Sequence, residues 1–313
     1  MKNKIILSCL LAVGLSGCTA SFLEITPETS LSSVTFFKTE ADFTQAVNAC
    51  YVPLRTIYND RSYLLSEMHS DNTYYYRNTA FGATEQQEDL ADFSIPVSNN
   101  LTTNTHVLNQ YRQDYLIIAR ANQVLALIDK ADFDATSKAN LKGQAQFMRA
   151  LAYFDIYRYF NKGPLQLTPV ANREQAAAPL GTGDDLAKII IGDLTGAISG
   201  LKTKSTQEAG RATAGAARAL LANLYLIQKN WAGAEKLCRE IVAEGSYSLM
   251  ADYNNAFTNS TSNKNNAESV FEVQYQEGAN GFFCEANTKS LMSAIVRTQE
   301  LDFLSQVSFS IGI

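Results

Sequence analysis

Apolar side chains recur every three or four positions over most of the chain beyond residue 39, which is the spacing of amphipathic helices. The first such run covers residues 43–57. Thr39 and Asp42 precede it at the separation of a capping box, in which each side chain bonds the backbone N–H of the other residue. We therefore predict a helix capped by Thr39. Pro53 lies inside the run and predicts a kink.

Longer runs of the same kind predict the central helices. One covers residues 107–128 and the next covers residues 135–159, and the Gly163-Pro164 pair marks the end of the second. Another helix is predicted after Gly181-Thr182-Gly183, with Asp184 and Asp185 as its capping residues. These glycines are better explained as a flexible lead into that helix than as a phosphate-binding loop, because no strand is predicted before them.

Two shorter runs predict a helical hairpin. They cover residues 216–227 and 231–242, and only three residues separate them, so the two helices must lie antiparallel. Arg218 and Cys238 occupy positions that are aromatic in tetratricopeptide repeats, so an unrelated helical hairpin is the alternative. The residues that do fit the tetratricopeptide spacing, in which small side chains let paired helices approach, are Leu221, Ala222, Tyr225 and Ala234.

One segment near the end of the helical region has the period of a strand. Residues 270–275 alternate in polarity and include β-branched and aromatic side chains. They follow a stretch rich in Ser and Asn, residues 254–266. The whole pattern predicts a mainly α fold: a helical scaffold with tetratricopeptide-like hairpins, irregular loops and a few short strands.

The first eighteen residues have the pattern of a lipoprotein export signal. Lys2 and Lys4 precede an apolar run, residues 5–15, that is too short to span a bilayer as a helix. Small residues follow at the cleavage position, directly before Cys18. We predict that residues 1–17 are removed and that Cys18 carries a stable lipid anchor. An ordinary signal peptide beside a chance cysteine is the alternative.

The composition of the chain excludes several functional classes of protein. The net charge of −5 argues against nucleic-acid binding, which needs a basic face. Cys50, Cys238 and Cys284 are an odd number and widely spaced, so they predict neither a disulfide framework nor a metal site. His69 and His106 are expected to be loop or core residues. Nucleophile-elbow and zinc-protease motifs are absent from the sequence, and we predict no catalytic residue, no metal and no cofactor.

Short motifs follow one another along the chain in a specific order. They are Cys18, Phe22-Leu23, Pro27, Leu31, residues 35–43, Ala46, Tyr51, Leu54, Asp71-Asn72, residues 115–122 and 149–155, Arg158-Tyr159-Phe160, Gly163-Pro164-Leu165, residues 210–213 and the hairpin after them. Over residues 18 to about 280 this series resembles the SusD/RagB family of Bacteroidetes lipoproteins.

The resemblance implies a place and a role in the cell. Proteins of this family are held on the outer membrane by lipid and face the cell exterior. They bind oligosaccharides or other nutrients and act as a lid on a SusC-like TonB-dependent transporter, to which they deliver the cargo. They are not enzymes, so the resemblance implies binding without catalysis.

The resemblance also implies that aromatic side chains recognise the sugar. Aromatic faces pack against the C–H faces of sugar rings, while Arg, Asn and Asp side chains bond hydroxyl groups. Three successive tyrosines of one extended segment cannot all be buried, because side chains alternate; tyrosines that merely cover the scaffold are the alternative. The candidate glycan-binding residues are Tyr74, Tyr75, Tyr76, Arg77 and Asn78, with Asp71 and Asn72 beside them.

The expected organisation has four parts. Residues 1–17 are the signal peptide, residues 18–38 a lipidated tether, and residues 39–281 a SusD-like helical domain. Residues 282–313 match no pattern of the family and form a divergent tail, as a truncated or frameshifted reading frame would produce.

Three functional hypotheses remain after the sequence alone. The main one is a cell-surface lipoprotein that captures an oligosaccharide or other nutrient for a SusC-like transporter. A helical adaptor that binds a protein partner through its hairpin grooves, without glycan binding, is the alternative. A glycan hydrolase is the third, because residue spacing does not exclude a catalytic pair of carboxylates.

Overall fold

The computed structural model describes residues 36–58, 62–70, 85–95, 104–256 and 263–273. Internal contacts divide the chain into two units, residues 1–38 and 39–313. Of the first unit only residues 36–38 are described, where the rings of Phe36 and Phe37 meet edge to face with centroids 5.1 Å apart.

The second unit is built from helices, as the pattern of apolar residues predicted. The helices are α1 (Glu40–Thr56), α2 (Ser62–Glu67), α3 (Glu85–Ala91), α4 (Thr105–Leu127), α5 (Ala135–Phe160), α6 (Arg173–Ala176), α7 (Gly183–Gly200), α8 (Ala214–Ile227) and α9 (Trp231–Glu244), and the strands are β1 (Lys162–Pro164) and β2 (Leu180–Thr182). Short 3-10 turns, Ile128–Lys130 and Tyr253–Ala256, follow α4 and α9. The prediction of a mainly α fold is confirmed.

Helix α1 begins with the predicted capping box. The Thr39 backbone N–H donates to Asp42 Oδ2 at 2.7 Å, and the Asp42 N–H donates to Thr39 Oγ1 at 3.3 Å. Both bonds satisfy N–H groups that a helix start leaves unpaired. Pro53 lies inside α1 with its side chain buried, and the helix continues to Thr56.

Helix α5 is the centre of the scaffold. It packs against α4 on one side and most extensively against α7 on another, while α1 covers α4 and α5. Its buried side chains include Ala145, Met148, Tyr153 and Phe154. The helix ends at Asn161, whose φ of 54° is left-handed and whose N–H bonds the carbonyls of the preceding turn. Periodicity therefore placed both central helices within a few residues of their observed ends.

A two-stranded hairpin follows α5 and corrects one prediction. β1 pairs with β2 in antiparallel register, with Gly163 opposite Gly181. The capping residue of α7 is Thr182, the last residue of β2, whereas Asp184 and Asp185 were expected to cap this helix. Asp185 instead completes a capping box, because its Oδ2 accepts from the Thr182 hydroxyl at 2.8 Å and from the Thr182 N–H at 3.1 Å.

The α8–α9 hairpin has the predicted connection, and the ends of its helices lie within two residues of the predicted ones. Asn230 caps α9, with its Oδ1 accepting from the Gly233 N–H at 3.1 Å. Arg218, which stands at an aromatic position of the tetratricopeptide pattern, instead joins the two helices through an ion pair of 2.9 Å with Glu244. Cys238 is buried. The hairpin therefore departs from the tetratricopeptide pattern at Arg218, where an ion pair between the helices replaces the usual aromatic contact.

The predicted strand at residues 270–275 is wrong over residues 270–273, the part that the structure describes, which is irregular. Glu272 Oε2 accepts from the Asn265 N–H at 2.6 Å. The Glu272 side chain, which the alternating pattern had placed on one face of a sheet, therefore bonds a nearby turn instead. The Phe271 ring packs on Phe147 of α5, with centroids 5.1 Å apart. Its apolar character therefore reflects docking onto the helical core and not strand pairing.

Candidate functional site

The residues predicted to contact ligand and lipid lie outside the described part of the chain. This holds for Cys18 and for the whole tyrosine-rich segment with its neighbours, namely Asp71, Asn72, Tyr74, Tyr75, Tyr76, Arg77 and Asn78. These assignments stay predictions. The structure does describe the two stretches that precede and follow the segment, residues 62–70 and 85–95, which we call the α2–α3 platform.

The two halves of the platform are held together by a small apolar cluster. Leu65 of α2 and Leu90 of α3 are both buried in it, at 3% and 0% exposure. Half-buried side chains from the platform and from the scaffold pack against it: Met68, Ile95, Val107 and Tyr159. The described residues before and after the tyrosine-rich segment therefore pack together, against side chains of α4 and α5.

A stacked pair of rings lies on this platform. The rings of His69 and Phe93 are nearly parallel, with an interplanar angle of 11° and centroids 4.6 Å apart. Phe93 is 71% exposed, so one face of a large apolar ring is open to solvent. Burial lowers the pKa of His69, so the imidazole is neutral at pH 7. The pair thus offers a flat aromatic surface that carries no charge.

The backbone of Phe93 is held in an uncommon conformation. Its φ is 54°, in the left-handed region that residues other than glycine seldom adopt. The Ser94 N–H donates to the Asp89 carbonyl at 2.9 Å, which closes the end of α3 around this residue. A phenylalanine in this backbone conformation, which favours glycine, is locally strained. Strain of this kind is often found at binding sites.

Arg149 forms a second polar centre, inside the scaffold. Its guanidinium makes two parallel bonds of 2.7 Å to the carboxylate of Asp193 on α7, with the two side chains only 14% and 7% exposed. Its Nη1 donates to Asn122 Oδ1 on α4 at 2.8 Å and to the Leu167 carbonyl at 3.4 Å. Burial raises the pKa of Asp193, an effect that the hydrogen bonds and charge of Arg149 oppose.

This network fixes the loop between β1 and β2. Asn122 Nδ2 donates to the Gln166 carbonyl at 3.0 Å, and the Tyr153 hydroxyl donates to the same carbonyl at 2.8 Å. The Tyr115 hydroxyl donates to the Pro164 carbonyl at 2.9 Å. The motifs at residues 115–122 and 149–155 therefore position a loop, and their polar residues are structural.

A third feature is an open hollow on the exposed face of α9. Its volume is about 470 Å³, and its lining residues are Ala232, Glu235, Lys236, Arg239, Glu240 and Ala243. Its charges are paired along the helix, as in the 2.7 Å contact between Arg239 and Glu235. The hollow is open and all of its lining residues belong to α9, whereas the predicted ligand segment follows α2 in the sequence.

Sequence reasoning missed the stacked pair. His69 was expected to be a loop or core residue. No pattern singled out Phe93, because the sequence alone does not show whether an aromatic side chain is exposed or buried. The nearness of both residues to the tyrosine-rich segment was the one available signal.

Comparisons with known proteins place the chain among carbohydrate-binding relatives. Residues 21–226 match the SusD-like family described as "Starch-binding associating with outer membrane". The chain is 25% identical over 277 residues to a SusD-like protein of Formosa agariphila, a match that covers 84% of this chain and 50% of that protein. The chain thus spans about half the length of the curated relatives it matches.

Solved structures share the fold. A SusD superfamily protein from Bacteroides vulgatus superposes with a TM-score of 0.65 at 25% identity, covering 77% of this chain and 50% of that one. A SusD-like carbohydrate-binding protein from Bacteroides fragilis gives a TM-score of 0.65 at 26% identity, covering 77% and 47%. Both likenesses agree with the helical scaffold described above.

Proposed function

The chain belongs to the SusD-like family of starch-binding proteins associated with the outer membrane, and from this premise we propose that it captures an oligosaccharide at the cell surface and delivers it to a SusC-like TonB-dependent transporter. The protein then acts by binding and release, and its side chains make or break no bond of the sugar.

The observation that carries the proposal is the exposed His69–Phe93 pair, whose two residues lie on either side of the tyrosine-rich segment in the sequence. Sugar rings present flat C–H faces, and an aromatic face buries them without a need for charge. The pair is uncharged at pH 7, so it suits a neutral oligosaccharide. Tyr75 and Tyr76 would add further faces, and Arg77 and Asn78 would bond hydroxyl groups.

Membrane attachment is part of the same proposal. A lipid on Cys18 would hold the protein in the outer membrane on the side of the cell exterior. The family is one that associates with the outer membrane. Among the described helices, none has both the length and the apolarity required to cross a bilayer.

Calorimetric titration of the full chain with a panel of neutral glycans tests the proposal. We expect one glycan class to bind, and Phe93→Ala, Tyr75→Ala and Tyr76→Ala each to weaken that binding by about three- to tenfold, the worth of one aromatic contact. Trp231→Ala is the matched control, because Trp231 is a 62% exposed aromatic residue on α9. Unchanged affinity in all three site variants would reject this site, and binding of no glycan would reject the function.

The adaptor hypothesis retains one supporting observation, which is the hollow on α9. Its lining of charged residues and alanines fits a protein surface better than a sugar, since no aromatic residue is among them. Loss of transporter co-purification in Arg239→Glu, with glycan affinity intact, would assign the hollow to partner binding. Loss of partner binding in a chain that binds no glycan would favour the adaptor.

A further inference from the structure

Three aliphatic side chains of the β1–β2 hairpin are exposed to solvent, and the proposed glycan site uses none of them. Leu167 and Val170 lie in the loop between the strands and are 44% and 45% exposed, and Leu180, the first residue of β2, is 65% exposed. We call these three residues the hairpin surface. Scattered exposed apolar residues need no explanation, whereas apolar residues grouped on one element mark contact surfaces.

Backbone hydrogen bonds hold the two arms of the hairpin together. Pro164 is opposite Leu180 in the antiparallel register, and the Leu165 N–H donates to the Pro179 carbonyl at 2.9 Å. Leu180 directly follows one end of this bond, and Leu167 lies two residues beyond the other end. Because successive Cα atoms are about 3.8 Å apart, Leu167 and Leu180 are within reach of one partner.

Side chains of the scaffold hold the loop at carbonyl groups next to the hairpin surface. Arg149 Nη1 donates to the carbonyl of Leu167 itself, at 3.4 Å. Asn122 Nδ2 donates to the carbonyls of Gln166 and Thr168, at 3.0 and 3.4 Å. The backbone around Leu167 is therefore fixed before any partner binds. A surface that is fixed in advance loses little conformational entropy on binding.

The composition of the hairpin argues against a sugar or a lipid surface as the molecule that covers it. Residues 163–182 contain no aromatic residue, and their only charged residues are Arg173 and Glu174, which are adjacent and opposite in sign. Sugar rings pack on aromatic faces. Segments that lie on a membrane combine clustered basic residues with large apolar or aromatic ones. The uncharged hairpin surface instead fits the core of a protein interface, which is depleted in charge.

The hairpin surface is too small to hold two free proteins together. A stable complex needs about 800 Å² of surface and roughly 20 residues from each partner, whereas the hairpin offers three aliphatic side chains. A second copy of this chain would therefore need more contact than the hairpin gives. A partner that is already confined nearby needs less contact, because confinement raises its effective concentration. A transporter in the membrane that also holds the predicted lipid anchor is a partner of this kind.

The hairpin surface is distant from the α2–α3 platform. Val107 of α4 packs against the apolar cluster of the platform, and Asn122 of the same helix bonds the hairpin loop. These two residues are fifteen positions apart on α4, which corresponds to about 22 Å along a helix axis. A partner at the hairpin would therefore leave the platform open to a glycan.

We infer that the hairpin surface, formed by Leu167, Val170 and Leu180, is a contact through which this protein binds the transporter. The inference rests on the proposed function, because that function supplies a partner in the same membrane. It adds the surface that the partner recognises, and an uncharged aliphatic patch on the transporter would complement it. The hydrogen bonds of Arg149 and Asn122 then present this surface in one conformation.

Photo-crosslinking in intact cells tests the inference on the full, lipidated chain. The photoreactive residue benzoylphenylalanine replaces Leu180, and mass spectrometry identifies what it captures. We expect capture of a TonB-dependent transporter, and we expect Leu167→Ser in the same chain to lower the yield about tenfold, the effect of losing one hot-spot side chain. Benzoylphenylalanine in place of Val170 covers the case in which replacement of Leu180 itself disturbs the contact.

The matched control places benzoylphenylalanine at Leu249, a 75% exposed leucine that follows α9. Its yield of captured transporter should be at least about tenfold lower than the yield from Leu180. Capture of a second copy, of lipid alone or of nothing from both hairpin positions would overturn the inference. Capture of the transporter from Ala243 in the α9 hollow and not from the hairpin would also overturn it, as would an unchanged yield in Leu167→Ser.

Calorimetry separates this result from the glycan proposal. Leu180→Ser should bind glycan as the wild type does, because the hairpin surface is distant from the platform. A wild type that binds glycan but captures no transporter would reject only this inference. A wild type that captures the transporter but binds no glycan would reject glycan capture and support the hairpin contact.

Discussion

Arg149 shows how one side chain joins three helices and a loop. It bonds Asp193 of α7 and Asn122 of α4, and it reaches the Leu167 carbonyl beyond β1. In the sequence, Arg149 and Asn122 belonged to motifs that suggested a family and gave no role to either residue. The fold shows that Arg149 and Asn122 hold the loop after β1 against the helices. A residue of a family motif can therefore serve to position the backbone as well as to contact a ligand.

Removal of the Arg149 side chain should cost much more than removal of a surface partner. We expect Arg149→Met to lower the free energy of unfolding by about 3–5 kcal/mol, because it leaves the Asp193 carboxylate buried without its counter-ion. Urea denaturation at neutral pH measures this change. Most of the loss should be recovered when Asp193→Leu is added.

The control is Lys142→Met, which removes an exposed ion pair with Asp129 of the same 2.7 Å length. Its effect should be below about 1 kcal/mol, since solvent screens exposed pairs. Equal effects of the Lys142 and Arg149 substitutions would contradict the structural role of the buried pair.

Phe93 combines a binding surface with backbone strain, and two substitutions separate these properties. Phe93→Gly and Phe93→Ala both remove the ring, so glycan affinity should fall equally in calorimetry. Only glycine relieves the left-handed φ of 54°. We therefore expect Phe93→Gly to unfold in urea with a free energy about 1 kcal/mol higher than that of Phe93→Ala. Equal stability of the two variants would show that the backbone there is not strained.

At the scale of elements, α5 and α7 make the most extensive helix contact among the described elements, and glycines allow it. A Cβ placed on Gly200 would lie 2.6 Å from the Ala139 carbonyl oxygen, and one on Gly196 would meet the Gln146 side chain. Gly192, on the same helix, has nothing within 4 Å of such a Cβ. Gly192, Gly196 and Gly200 recur every four residues, yet only Gly196 and Gly200 lie where a larger side chain would clash.

The same substitution at two of these glycines should have effects of opposite sign. Gly192→Ala is expected to raise the free energy of unfolding by up to about 1 kcal/mol through helix propensity alone. Gly200→Ala is expected to lower it by about 1–3 kcal/mol, since the clash is with backbone that cannot rotate away. Thermal or urea unfolding of both variants checks the pair. A gain in both would mean that α5 and α7 are packed less closely than the structure shows.

At the scale of the whole molecule, long-range contacts return the last described segment to the helical core. Lys204 Nζ is held by the carbonyls of Asn266 and Ser269, each at 2.6 Å, and lies 4.8 Å from the centre of the Tyr247 ring. The Phe271 ring reaches Phe147 of α5. Residues 263–273 are thus fixed against Lys204 and α5, which both lie earlier in the chain.

The membrane anchor is a property of the whole protein in its cell. We expect Cys18→Ala to move most of the protein from the membrane fraction to the soluble fraction after export, because the variant cannot carry lipid on residue 18. Immunoblots of fractionated cells measure the distribution. Cys284→Ala is the control and should stay with the membrane. Retention of Cys18→Ala in the membrane would mean that another contact holds the protein there.

The sequence by itself determined the longer helices, because an amphipathic period is a local property that each segment carries alone, whereas the short helices α2, α3 and α6 were not predicted. The bounds of α4, α5 and the α8–α9 hairpin and the Thr39 capping box were predictable for that reason. The tyrosine-rich segment was also singled out by local chemistry, and its role stays a prediction.

Only the tertiary structure decided which distant side chains meet. The His69–Phe93 pair, the burial of Asp114 and the Arg149–Asp193 ion pair all depend on how separate segments pack. Phe271 carried the alternation of a strand and was drawn instead to the helical core. Side-chain burial, charge balance and pKa arise from neighbours across the fold, and a linear pattern does not contain those neighbours.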